Sequence, residues 1–192
     1  MAFLDVDQPK TPVQWIIWLA AMGIVMTSPL GAVAIVGSLR EELTKRKGFR
    51  EKEISPQNLS QALYYAKKRK LIKIRTDGDK TTMILTEKGK KRKLEYDFNA
   101  IEISRPEGWD GRWRMLMFDI PEKEKSAREA LRDKLIAMGF VLFQKSIWIY
   151  PYSCENEVDF IGEALGIGKY LHLLTARIDN DQELRSKFNL SA

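Results

Sequence analysis

The chain has 192 residues, 44% of them hydrophobic and 30% charged, with one cysteine and one histidine. That length holds one large or two small domains, and the composition excludes a disordered chain. A lone Cys154 excludes an internal disulfide, and with only His172 to join it no zinc cluster is recognisable, so the natural setting is cytoplasmic.

Charge is unevenly spread. Residues 40 to 93 hold 18 Lys or Arg against 7 Asp or Glu, a balance of +11, whereas the remainder holds 14 against 19, a balance of −5. Positive potential is thereby gathered on one part of the molecule, as expected of a surface that meets an anionic partner. The plainer alternative is a pair of solvated helix faces.

From the amino end, Val13 to Leu39 is 27 residues without a formal charge, long enough to cross a bilayer. Thr27, Ser28 and Pro29 interrupt it with a helix stop, a Ser cap and a Pro at a new first turn. Two buried helices are therefore expected, Val13 to Met26 and Pro29 to Lys47, with a membrane anchor as the competing reading. No basic stretch precedes the run, since Asp5 and Asp7 outweigh Lys10, which argues against a secretory signal.

Ser55 and Pro56 then open a helix whose inward stripe is Leu59, Ala62, Leu63 and Ala66. Gln57, Asn58, Gln61, Tyr64 and Lys68 fall on its outer side. Leu71 to Arg75 and Thr81 to Leu85 read as short strands joined at Asp77-Gly78-Asp79-Lys80, a good hairpin turn. Thr86 caps a last basic helix running toward Tyr96. Three helices, a hairpin and a helix make the winged helix-turn-helix order. The segment Ile84-Leu85-Thr86-Glu87-Lys88-Gly89 resembles the wing-to-helix junction of many winged-helix regulators.

Such an arrangement suits double-stranded DNA. An exposed helix bearing Gln57, Asn58, Gln61 and Tyr64 can enter the major groove, where side-chain amides pair with adenine edges. Lys67, Lys68, Arg69, Lys70, Lys73 and Arg75 can neutralise phosphates beside it, and Lys80 at the hairpin tip can reach a neighbouring backbone or minor groove. The alternative for Lys67 to Lys70 is that they solubilise a helix end whose dipole favours cations.

Pro106 and Gly108 mark a break, and residues 99–108 read as a linker. Beyond it the hydrophobic period switches between 2 and 3.6. Met115, Met117 and Phe118 belong to a strand ended by Asp119, Ile120 and Pro121. A charged helix follows with Ala127, Ala130, Leu131, Leu135 and Met138 inward, stopped by Gly139. Aromatic runs around Phe140 to Phe143 and Ile147 to Tyr150 read as paired strands, Glu155 to Leu165 as a helix, and Tyr170 to Ile178 as a closing strand carrying a packed His172. This βαββαβ order is the ferredoxin-like arrangement. The tail from Asp179 reads as a short helix docking through Leu184 and Phe188. Phe140, Phe143, Trp148, Tyr150 and Tyr152 alternate between sheet faces, which favours core or dimer contact over a base-stacking platform.

Three stretches carry a family resemblance: WDGRWRMLMFDIP from Trp109, the R-x-x-L-R-x-K-L helix from Arg128 to Leu135, and GFVLFQKSIWIYP from Gly139. They resemble the Cas-two-like middle domain of PaaX-type repressors, itself similar to the small CRISPR-associated Cas-two proteins. The likeness is close over about a third of the chain and looser over the N-terminal half. It implies a transcriptional repressor, a homodimer joined through this domain on a palindromic operator. PaaX-type repressors carry a further C-terminal region, and this sequence stops soon after the domain, so their aryl-coenzyme A sensing is not carried over.

The Cas-two resemblance also implies that Asp119, paired with its copy across a dimer, can share a Mg or Mn ion. That would make a metal-dependent nuclease or a CRISPR-adaptation subunit, the ion activating water and stabilising charge on the phosphate. Arg112 and Arg114, at spacing two, would hold a backbone phosphate. Against this, no second carboxylate has a clear ligand role, and Asp119 equally suits a helix cap; structural use is the preferred reading and no cofactor is then required. The whole is read as α+β: a winged helix over residues 1–98, the linker 99–108, a ferredoxin-like, Cas-two-like dimerisation domain over 109–178 and a tail over 179–192. A membrane-tethered regulator is the remaining alternative.

Overall fold

A computed structural model describes residues 9–27, 32–44, 55–78 and 80–190. The chain is mixed α+β and divides between Ala100 and Ile101 into two compact units.

The N-terminal unit begins with helix α1, Pro12–Ala21. Thr11 and Gln14 form a reciprocal capping box at its start, which satisfies two backbone donors that the first turn leaves open. Strand β1, Val25–Thr27, follows, then helix α2, Ala32–Thr44, and helix α3, Pro56–Lys68. A hairpin of β2, Ile72–Asp77, and β3, Lys80–Leu85, leads into helix α4, Glu87–Ala100. The sheet order is β1-β3-β2, all antiparallel.

Two expectations need correction here. The first helix stops at Ala21, not Met26, because Gly23 takes φ +65° and the β-branched Ile24 and Val25 lead into β1. The uncharged run is thus helix, strand and helix. Among the described residues no helix is long and apolar enough to cross a membrane. The cap at Ser28 and Pro29, and Lys47, lie outside the described residues.

The core of this unit joins Ile16, Ile17 and Leu19 of α1, Leu39 and Leu43 of α2, Leu59, Leu63 and Ala66 of α3, and Met83 of β3. Each of these is essentially sealed from solvent, and truncating any one of the leucines costs about 2–5 kcal/mol.

The C-terminal unit runs β4, Trp113–Phe118; α5, Lys125–Ala137; β5, Val141–Gln144; β6, Ile147–Tyr150; α6, Glu155–Leu165; β7, Leu171–Ala176; and α7, Gln182–Phe188. Its strand order is β5-β6-β4-β7, every neighbour antiparallel, the split βαβ topology of a ferredoxin-like sheet. Alternation divides β4 between two faces. Leu116 and Phe118 look toward the side where Leu171 meets Gly162 of α6, while Trp113, Met115 and Met117 look the other way. There Trp113 and Ile149 form a small core with Leu184 of α7.

The two units divide within the expected linker, residues 99–108, between Ala100 and Ile101. Helix α4 extends through Ala100, and Ile101 and Ile103 are buried in the C-terminal unit. Lys134, buried on α5, donates to the Ile101 carbonyl at 3.1 Å, and burial lowers its pKa. His172 also departs from expectation, because it is exposed. It pairs with Met117 on the face opposite α6, and α7 packs through Leu184 near Trp113 and Ile149 on that face.

Candidate nucleic-acid interface

Helix α3 starts at Ser55, whose hydroxyl accepts from the Asn58 N–H at 3.2 Å, with Pro56 in the first turn. Its apolar positions Leu59, Ala62, Leu63 and Ala66 are buried, so the opposite stripe faces solvent. Gln57, Asn58, Gln61, Tyr64, Lys67 and Lys68 are all exposed, and Tyr64 is exposed to 66%.

The helix ends in a Schellman turn: the Leu71 N–H donates to Ala66 O and the Lys70 N–H to Lys67 O, both at 2.9 Å. This turn requires a left-handed residue, and Lys70 occupies it at φ +56°. A lysine there is strained by about 1–2 kcal/mol relative to a right-handed conformation. Arg69 and Lys70 are exposed in this turn. On β2, Lys73 and Arg75 alternate outward while Ile72 is buried and Ile74 half-buried against the core. Lys80 is exposed where β3 begins, paired with Asp77 at the tip of the hairpin.

The turn after α3 is pinned from below. Thr86 donates its hydroxyl to Lys70 O at 2.6 Å, accepts from the Gly89 N–H at 3.0 Å, and donates its own N–H to Leu71 O at 3.0 Å. One side chain therefore caps α4 and ties its first turn to the basic end of α3. The Thr86-to-Gly89 junction legible in the sequence has this as its physical content.

Sequence reasoning overlooked Tyr65, which is 42% exposed and lies beneath the Arg69 guanidinium at 5.5 Å. A parallel contact sets Lys68 Nζ 5.7 Å from the Tyr64 ring centroid. The i, i+4 spacing of both pairs was the available signal. The α4 cations are partly neutralised within the helix, since Lys90 pairs with Glu87 and Arg92 with Glu95, both at 2.7 Å, and Lys93 pairs with Asp97. Exposed Lys88 and Lys91 add to the basic surface.

In the C-terminal unit, Asp119 is exposed just beyond β4, its N–H donating to Tyr170 O at 3.3 Å. The same loop is held by Arg128, which donates to Ile120 O at 3.1 Å and pairs with Glu122 at 2.7 Å. Among the described residues no three His, Cys, Asp or Glu side chains gather as a metal site.

Arg114 does not face a phosphate. It is buried, bound at 2.8 Å to both carboxylate oxygens of Asp110 and to Ser153 Oγ, and at 2.9 Å to Pro151 O. The Arg114 guanidinium holds the Asp110 carboxyl below its ordinary range. Arg112 precedes β4 and is exposed, its N–H donating to Asp110 Oδ1 at 3.0 Å. Of the aromatics, Phe140, Trp148 and Tyr150 are buried, with Phe140 stacked on Tyr150 at 4.8 Å, and Phe143 is 41% exposed.

The tryptophans of the same stretch anchor the tail. Trp113 Nε1–H donates to Asp181 at 2.9 Å, Arg185 pairs with Asp181 at 2.8 Å, and its guanidinium lies 4.9 Å from the Trp109 ring.

The split βαβ sheet, with this Trp-Asp-Arg network closing one end, defines a Cas-two-like α+β domain. Residues 106–188 match the family described as the PaaX protein central Cas2-like domain. The C-terminal unit is thus similar to that central domain, over a span slightly longer than the resemblance from Trp109 to Ala176. No curated protein matches the sequence closely enough to count as a relative.

Proposed function

We propose that this protein is a DNA-binding transcriptional regulator, a repressor acting as a homodimer on a palindromic operator in the cytoplasm. The N-terminal unit is read as a winged helix-turn-helix, with α3 as recognition helix and the β2–β3 hairpin as wing. The observation that carries this reading is the outer stripe of α3. It is exposed along its length, ends in the basic turn Lys67 to Lys70, and is flanked by Lys73 and Arg75 on the hairpin. Amides and an aromatic ring suit base edges, and the surrounding cations suit phosphates. The PaaX-type domain that follows supports the regulatory role.

Dimerisation through the C-terminal unit is supported by its partly open sheet face, where Met115, Met117 and Ile147 are half-buried and Leu174 is 46% exposed. Two-fold symmetry would present two copies of α3 to two half-sites. Light scattering should give twice the chain mass, falling to one chain mass in Leu174→Glu. This reading calls for no cofactor.

The test is binding to a labelled duplex from upstream of the protein's own gene, against scrambled competitor, over a salt series. Saturable binding that survives the competitor is expected. Its log K should fall with log salt by at most about 6 per protomer, since seven of the named side chains are cationic. Equal weak binding to every duplex would remove the reading.

A second reading, metal-dependent phosphodiester cleavage, is favoured only by the exposure of Asp119 at the end of β4. It would require Mg- or Mn-dependent cleavage that Asp119→Asn abolishes.

A further inference from the structure

The outer stripe of α3 is ordered in a way that bears on which bases it would read. At 100° per residue, Gln57, Gln61, Tyr64 and Lys68 lie within about 60° of one another, directly opposite the buried Leu59, Ala62, Leu63 and Ala66. Ser60 and Lys67 flank this line on one side, Asn58 and Tyr65 on the other. The line therefore reads, from the amino end, amide, amide, aromatic, cation.

The stripe contains no arginine, and its one cation, Lys68, is at the carboxyl end with its ammonium drawn over the Tyr64 ring. Guanine is read in the major groove chiefly by bidentate Arg or Lys, adenine by bidentate Asn or Gln. In helix-turn-helix docking the amino-terminal residues of the recognition helix meet the base edges. Those residues here are Gln57 and Gln61.

Spacing adds a constraint. Four residues of helix rise about 6 Å, and base pairs are stacked about 3.4 Å apart, so two amides four residues apart meet edges roughly two base-pair steps apart. Tyr64, about 10 Å along the helix from Gln57, lies a further step on and offers an aromatic edge to a thymine methyl.

We infer that α3 selects A·T pairs, with Gln57 and Gln61 each taking an adenine edge at positions two base-pair steps apart in every half-site. The inference rests on the proposed DNA-binding reading and extends it to the class of operator. Lys68, Arg69 and Lys70 then serve the phosphate backbone beyond the read bases.

The experiment is selection of duplexes from a randomised library by the full chain, repeated with Gln57→Ala and Gln61→Ala. Both side chains are exposed, and thermal melting of each variant checks that the fold is kept. The selected motif should hold A·T at two positions two steps apart. Each variant should lose preference at its own position only, by about tenfold or more. Replacing that adenine by 7-deazaadenine, which lacks the N7 acceptor, should weaken the wild type to a similar degree. A motif with G·C at both positions, or one unchanged in both variants, would overturn the base assignment while leaving DNA binding in place. Failure to enrich any duplex would overturn the DNA-binding reading and this inference with it.

Discussion

A Cβ placed on Gly89 would lie 1.9 Å from the carbonyl oxygen of Leu71. No side chain fits there, because the contact is with backbone, and that backbone is the turn joining α3 to the hairpin. In Gly89→Ala two effects oppose each other. Alanine favours a helix by about 1 kcal/mol over glycine, while forcing apart a packed junction costs about 1–3 kcal/mol and more when backbone must move. The clash should prevail. Urea denaturation is expected to show a net loss of about 2 kcal/mol or more from the N-terminal unit, and an unchanged midpoint would refute the close approach.

Lys70 separates stability from binding. Its left-handed φ of +56° is one that glycine adopts freely. Lys70→Gly should therefore stabilise the unit by up to about 1 kcal/mol. It should also weaken duplex binding and reduce the salt slope by about 1, because one phosphate is no longer neutralised. Melting and salt-dependent binding on the same sample check both halves. Weaker binding with an unaltered slope would show that Lys70 meets no phosphate.

The tail should loosen in acid. The Trp113 indole hydrogen bond, then the Arg185 partnership, hold the Asp181 carboxyl below its ordinary 3.8. A carboxyl depressed in the folded state adds stability that is fully present above its unfolded pKa and is lost as pH falls through the folded value. The contribution of Asp181 is thus whole above about pH 4 and declines as the pH falls below it. Tryptophan emission should red-shift over that range as α7 leaves Trp113, and Asp181→Asn should flatten the transition. An identical profile in the variant would count against the contact.

Cys154 should be inert while the C-terminal unit is folded. It is buried before α6, and burial, with Glu155 next, pushes its thiol up to about 12. Since the thiolate is the reactive form, a disulfide reagent at pH 8 should label it only on unfolding, at the unfolding rate. Rapid labelling of the native protein would contradict this burial.

Much of the structure was legible locally. Ser55 with Pro56, Thr86, and the Gly139 stop all lie where helices begin or end, because capping is a contest among neighbouring backbone groups. The exposed stripe of α3 was legible for a similar reason, since a 3.6-residue period fixes which side chains share a face. Strand β1 was not. Three residues become a strand only when β3, over fifty residues later, supplies the hydrogen-bonding partner.

The order of the helices and of every strand but β1, the concentration of charge between residues 40 and 93, and the polar line on α3 could be read from the chain alone. These depend on periodicity and composition, which act over one or two turns. Folding alone revealed that Arg114 is buried against Asp110 and Pro151, that His172 faces solvent, and that Ile101 and Ile103 are buried. Alternation says which residues of a strand share a face. Which face another layer covers is set by packing between elements distant in sequence, and the burial of a strand residue follows from that cover.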